Sequence, residues 1–316
     1  MKKKIKVLQV IPKLGYGGAE TGCYDLAHYL PEQNCKSYIV TSGGDLLKFV
    51  NKKKVKVFRL PVQSKNPILI FINAIIISLI ILSYNINIVH ARSRAPAWSC
   101  LLASKITFRK FVTTFHGTYN FSNRIKKFYN SVMVRSDLVI AGSNFIFSHI
   151  NENYGNFFSN NKRKFLVIFR GINTNYFHYK KILPSKVDKF SHQHKIDRNK
   201  FIILMPGRLT YWKGQTVFIE AVKILSEKEN VPSFESVILG NEQGRNVYKK
   251  KLFGLVEQYR LSKIIKFIDY CDEMPVAYRI ANLVISSSVE PEAFGRVSVE
   301  AQSMEVPVIA SNIGGS

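Results

Sequence analysis

Apolar residues along this chain concentrate in short runs, some of them continuous, separated by longer segments in which they return every three or four positions. Runs at 5–11, 37–41, 55–60, 86–91, 111–115, 137–141 and 165–169 read as strands, and runs at 201–205, 234–239, 263–268, 283–286 and 306–310 repeat the pattern. An uninterrupted apolar strand, unlike a strictly alternating one, belongs in a sheet covered on both faces. Strands alternating with helix-period segments predict an α/β fold with parallel sheets. The polar, Lys- and His-containing stretch 176–199 has little strand signal. Domains are therefore expected at 1–175 and 200–316, with a partly helical linker between them. A chain of 316 residues is long enough to bury two cores.

The most apolar run, 67–82, is helical in length but shorter than the roughly 20 residues that span a bilayer, and it contains Asn73 and Ser78. A helix wedged against the first sheet is expected. The alternative is a helix lying in a membrane interface, because basic residues flank the run.

Composition adds charge to this picture. With 46% apolar and 12% aromatic residues the chain is globular, and its net charge of +25 is unevenly placed. Residues 1–175 hold 26 Lys+Arg against 6 Asp+Glu, whereas residues 176–316 hold 20 against 15. Such a field attracts anionic lipid or nucleic acid. The basic residues are scattered and lack the compact stripe of a nucleic-acid module, so a membrane surface is weighed above nucleic acid. Cys23, Cys35, Cys100 and Cys271 lack metal-ligand or CxxC spacing, which argues for reduced thiols in the cytoplasm. Met1-Lys2-Lys3-Lys4 leads into a short run broken by Pro12, so no signal peptide is expected.

Candidate chemistry lies where strands end, since ligands of open α/β sheets bind beyond the carboxyl ends of their strands. After the first strand come Gly15-Tyr16-Gly17-Gly18-Ala19-Glu20, whose glycines let backbone amides approach a phosphate. The fourth strand delivers Arg92 and Arg94, candidates for an anionic acceptor, and the fifth delivers His116-Gly117. In the second domain, Gly207-Arg208-Leu209-Thr210-Tyr211-Trp212-Lys213-Gly214 offers two long cations able to converge on a diphosphate. Further on, Glu292 and Glu300 flank Phe294 and Gly295. A helix starting near Gly295 keeps Glu292 on the loop, puts Glu300 about one turn inside, and aims free amides at a phosphate or hydroxylated ligand. Each feature taken alone also has a bland reading as solvated charge; their order along the chain favours a site.

The Glu292–Glu300 stretch resembles the E-x7-E signature of the retaining, nucleotide-sugar-dependent glycosyltransferases of family 4, and Arg208 to Gly214 resembles their G-R-L-x-x-x-K-G loop. The similarity extends through Asp272-Glu273-Met274-Pro275, Tyr278 to Asn282 and Ser311 to Gly315, and through the G-G-A-E turn at Gly17 to Glu20. It implies a GT-B fold, two Rossmann-like domains whose parallel sheets face a central cleft. It also implies a donor site formed by Gly17, Gly18, Arg208, Lys213, Phe294, Gly295 and Glu300, with Glu300 on the ribose and the loop 269–274 facing the base. Glu292 and His116 would sit at the transferred sugar. No protein nucleophile is required in the front-face mechanism usually assigned to the family. The co-substrate would be a nucleotide diphosphate sugar. The acceptor would be a glycan or lipid-linked molecule of envelope or lipopolysaccharide assembly, at the inner face of the cytoplasmic membrane. No Asp-x-Asp pattern lies near these loops, and metal independence is expected, with no cofactor. Family members continue beyond the position of Ser316, so the resemblance implies a truncated second domain with an exposed sheet edge. An inactive remnant and a basic membrane-surface or nucleic-acid-binding protein on the same scaffold are the alternatives. A nicotinamide dehydrogenase is disfavoured, since no G-x-G-x-x-G spacing follows the first strand.

Overall fold

The computed structural model describes residues 4–158, 164–242, 244, 246–271 and 273–316; Asp272, on the loop expected to face a base, lies outside them. The chain divides into two compact units, Met1–Gly171 and Ile172–Ser316.

In the first unit the elements are β1 (Lys6–Val10), α1 (Gly18–Glu32), β2 (Lys36–Thr41), β3 (Val55–Arg59), α2 (Pro67–Tyr84), β4 (Ile88–Ala91), α3 (Arg94–Ile106), β5 (Lys110–Phe115), α4 (Arg124–Asn130), β6 (Leu138–Ala141), α5 (Asn144–Tyr154) and β7 (Lys164–Val167). Their order in the sheet is β3-β2-β1-β4-β5-β6-β7, and every pairing is parallel. Central strands are buried as their apolar runs predict: Leu8, Val10, Ile39, Val40, Val89 and Phe111 are all enclosed. The expected helix between the second and third strands is a single 3-10 turn at Asp45–Phe49.

Helix α2 has sharp ends. The Asn66 side chain accepts from the Ile68 amide at 2.9 Å, Pro67 occupies the first turn, and Asn85 closes the helix in the left-handed conformation at φ +51°. One face, with Ala74, Ile77 and Ile81, packs into the unit, but the opposite face is open to solvent. The expectation of a helix wedged against the sheet therefore describes only half of it. An all-apolar sequence carries no stripe from which the covered side could be chosen.

The second unit contains α6 (Pro184–Gln193), β8 (Phe201–Pro206), α7 (Gln215–Ser226), β9 (Phe234–Leu239), α8 (Asn246–Gln258), β10 (Ile265–Ile268), α9 (Met274–Ile280), β11 (Leu283–Ser286), α10 (Arg296–Ser303) and β12 (Val308–Ala310). Its parallel sheet runs β10-β9-β8-β11-β12. Successive residues of β8 serve opposite layers, as the pleat requires. Ile202 and Leu204 join Phe190, Tyr278 and Ala301 on one side, while Ile203 and Met205 join Phe218, Val222 and Leu252 on the other.

The stretch 176–199, expected as a linker, belongs to the second unit: Phe177, Val187, Phe190 and Ile196 lie in its core, and the Ser303 hydroxyl donates to the Phe177 carbonyl at 2.7 Å. The boundary falls after Gly171 instead of 175. In α6 the apolar positions Val187 and Phe190 are one turn apart within polar surroundings, too sparse to announce a core contact from sequence.

Candidate functional site

In the second unit the chain reverses direction across the sheet between β8 and β11, one of which leads left to β9 and the other right to β12. A crevice opens at such a switch point beyond the carboxyl ends of the two strands. The loops leaving those two ends are the ones that carry Arg208 and Lys213, after β8, and Glu292, after β11.

Two glycines shape these loops. Gly214 is the N-cap of α7 at φ +73°, and a Cβ there would overlap the carbonyl oxygen of Ser287, so the loops can touch only because the side chain is missing. Gly295 is the N-cap of α10 at φ +68°. The helix thus starts at Arg296, with Glu292 on the loop and Glu300 in its second turn.

Lys213 and Glu292 meet. The Lys213 ammonium lies 2.6 Å from Glu292 Oε1, with the two side chains only 14% and 11% exposed, and the Ser288 hydroxyl donates to the same oxygen. Trp212 gathers the cations: its ring centroid is 4.6 Å from Lys213 Nζ and 5.8 Å from the Arg208 guanidinium. Gln215 fixes the start of this loop by donating to the Arg208 carbonyl at 2.8 Å.

Glu300 is buried and centres a second group. The Tyr278 hydroxyl donates to its Oε2 at 2.8 Å, and Arg296 Nε donates to its Oε1. Burial, reinforced by the neighbouring carboxylate, pushes the Tyr278 phenol well above its usual range, so it remains a proton donor. Each carboxylate oxygen has a second lone pair, and Glu300 can accept a ligand hydroxyl without giving up either partner. Phe294 is half-buried in the same loop.

The first unit has its switch point between β1 and β4. Beyond β1, Gly17 is the N-cap of α1 and supplies no side-chain cap. Beyond β4, Arg92 is buried and donates to Gln9 Oε1 at 3.1 Å. Arg170, beyond β7, donates to the Gly18 carbonyl. A Cβ placed on Gly22 would lie 3.1 Å from Arg170 and 3.2 Å from Arg92, so two guanidinium groups converge over the first turns of α1.

His116, beyond β5, has neither ring nitrogen hydrogen-bonded among the described residues, and both are sealed from solvent. Burial, then the charges of Arg92 and Arg170, hold its pKa well below 6.5, so the imidazole is neutral. Arg94 does not join this group. It donates to Asn130 Oδ1 at 2.9 Å and lies 4.4 Å from the Tyr119 ring centroid, bracing α3 against the following loop.

Arg170, Tyr278 and Ser288 were not legible as site residues. Arg170 sits in what reads as a connector, and the partners of the other two are set by folding. The Ser288-x-x-x-Glu292 spacing is the one local signal that could have pointed to a bond.

The sequence pattern described as Glycosyltransferase Family 4 matches residues 16–176, and that described as Glycosyl transferases group 1 matches residues 186–316. The crystal structure of a glycosyltransferase from Rickettsia africae ESF-5 is 40% identical, with a TM-score of 0.86 over 99% of this chain and 80% of that one. Anabaena HepE, solved in complex with UDP-glucose, is 22% identical with a TM-score of 0.80, over 98% of this chain and 81% of that one, a likeness of fold. The D-inositol 3-phosphate glycosyltransferase of Corynebacterium glutamicum (strain R) is 33% identical over 116 residues, which are 36% of this chain and 28% of that protein. The chain thus matches little more than a quarter of that curated relative. Two Rossmann-like units with parallel sheets and these neighbours define a GT-B protein. The chain belongs to glycosyltransferase family 4.

Proposed function

We propose that the chain transfers a glycosyl group, with retention of anomeric configuration, from a nucleotide diphosphate sugar to a cell-envelope glycan or lipid-linked acceptor on the cytoplasmic side. The observation that carries this reading is the coincidence of the β8/β11 switch point with Arg208, Lys213 and Glu292. HepE having been solved with UDP-glucose supports the donor class.

In the transfer, the bond from the anomeric carbon to the diphosphate breaks while a bond to the acceptor hydroxyl forms on the same face. The acceptor proton passes to the departing phosphate oxygen. Negative charge grows on the diphosphate, and Arg208 and Lys213, with the amides at the start of α10, are the groups suited to stabilise it. A diphosphate competes with Glu292 for Lys213, which turns Glu292 over to the sugar. Glu300 takes the ribose hydroxyls. Within the first unit, the Gly17–Gly18 turn is the candidate for diphosphate amides, and His116, whose imidazole is neutral, is the candidate at the transferred sugar. Arg92 is the acceptor candidate retained there. No metal is needed for this chemistry, and activity in chelator is the expected outcome.

Calorimetric titration with UDP, GDP and ADP tests the reading, using Arg208→Ala and Glu300→Gln variants checked for folding by circular dichroism. One nucleotide should bind saturably, and each substitution should weaken it by more than about tenfold, or about 1.4 kcal/mol. A folded chain that binds none of the three would overturn the proposal.

A further inference from the structure

Among the described residues α2 is the one helix long and apolar enough to cross a bilayer, yet it is built into the first unit. The Asn73 amide donates to the Pro61 carbonyl at 3.2 Å, and the Ser99 hydroxyl of α3 donates to the Ile70 carbonyl at 2.9 Å. A helix anchored along one side in this way lies on a surface instead of spanning it.

Its other side is the anomaly. Ile68, Phe71, Ile72, Ile75, Leu79 and Leu82 are between 43% and 70% exposed, and their spacing of three and four places them on one helical face. Single exposed apolar residues are ordinary, whereas a contiguous face of this length marks a docking surface. At the end of the neighbouring α3, Ile106 is exposed too, and Phe108 is 94% exposed.

Charge decides the occupant. Residues 46–136, which contain the whole of α2, α3 and α4, hold 16 Lys+Arg and no Asp or Glu. At the carboxyl end of α2, Lys6 Nζ donates to the Tyr84 carbonyl at 2.7 Å, Lys56 lies 4.4 Å from the Tyr84 ring centroid, and Arg109 donates to Asn85 Oδ1 at 3.1 Å. These cations suit the negative end of the helix dipole, and they place positive charge at one end of the apolar face. A second copy of so basic a surface would be repelled. An apolar face set in a segment that carries cations and no carboxylate is complementary to a bilayer with anionic headgroups.

We infer that the outer face of α2 docks the first unit on an anionic membrane surface, lying in the headgroup layer. This inference does not rest on the proposed transfer reaction.

Co-flotation of the purified chain with phosphatidylcholine vesicles, with and without phosphatidylglycerol, tests it. The chain should float with the anionic vesicles, poorly with the neutral ones, and less as salt is raised. Phe71→Ser/Leu79→Ser, which touches only exposed positions, should reduce partitioning by about tenfold or more while leaving the unfolding temperature and nucleotide binding unchanged. Lys105→Glu/Lys110→Glu, at exposed cations that flank Ile106 and Phe108 in the chain, should weaken the anionic preference. The inference is overturned if the wild-type chain stays with the soluble fraction, or if the face variant floats as well as wild type. It is equally overturned if light scattering shows a dimer that the face variant abolishes, which would make a second copy the occupant.

Discussion

The Lys213–Glu292 pair joins residues 79 positions apart, in a setting dry enough that neither charge is comfortable alone. Lys213→Met should therefore destabilise the chain by about 3 kcal/mol, because it leaves a carboxylate without its cation. The double variant Lys213→Met/Glu292→Gln should cost less than the two single changes summed, as urea unfolding of the four proteins would show. His90 and His116 make a second residue-scale prediction. Burial, the larger cause in both, holds their pKa well below the ordinary 6.5. As pH falls through 6.5 the unfolded chain takes up protons that the folded chain refuses, so stability drops progressively until the depressed folded values are reached. The loss should begin below neutrality, and His116→Asn should make the slope of stability against pH between 7 and 5 shallower, by about one proton at most.

The helix starts are where elements meet chemistry. Gly214→Ala adds a Cβ that overlaps Ser287 and demands a left-handed conformation, so a loss of about 3 kcal/mol or more is expected. Gly254→Ala, in the interior of α8 with nothing within 4 Å of the added carbon, should instead stabilise by about 0.5–1 kcal/mol. Thermal denaturation of the two variants compares them directly. The central strands were readable because both their faces are covered, which forces continuous apolar runs such as 201–205. The loops carrying Arg208, Lys213 and Glu292 were readable because they follow those strands. What sequence does not carry is who meets whom. The assignment of α6 to the second unit hangs on a few apolar contacts in a polar helix, and the convergence of Arg170 with Arg92 over α1 depends on strands far apart in the chain. The open side of α2 was hidden by its own uniformity.

At the scale of the molecule, the first 175 residues carry an excess of 20 positive charges, and self-repulsion on that scale weakens the compact state. Raising salt from about 0.01 M to about 1 M shrinks the Debye length from about 30 Å to about 3 Å, and the first unit should melt at a higher temperature as a result. Differential scanning calorimetry should resolve the effect, with two units making a single two-state transition the wrong description. The strand orders have a further consequence in time. The central pairings, Val7 with Ile88 and Ile203 with Leu283, each join partners about 80 residues apart, so neither sheet can close locally. At a synthesis rate of about 5–20 residues per second, β1 waits about 4–16 s for β4 to leave the ribosome. During that interval β1 can pair with β2 along one edge, but the edge that belongs to β4 stays open, and the nascent chain is a client for whatever shields such edges.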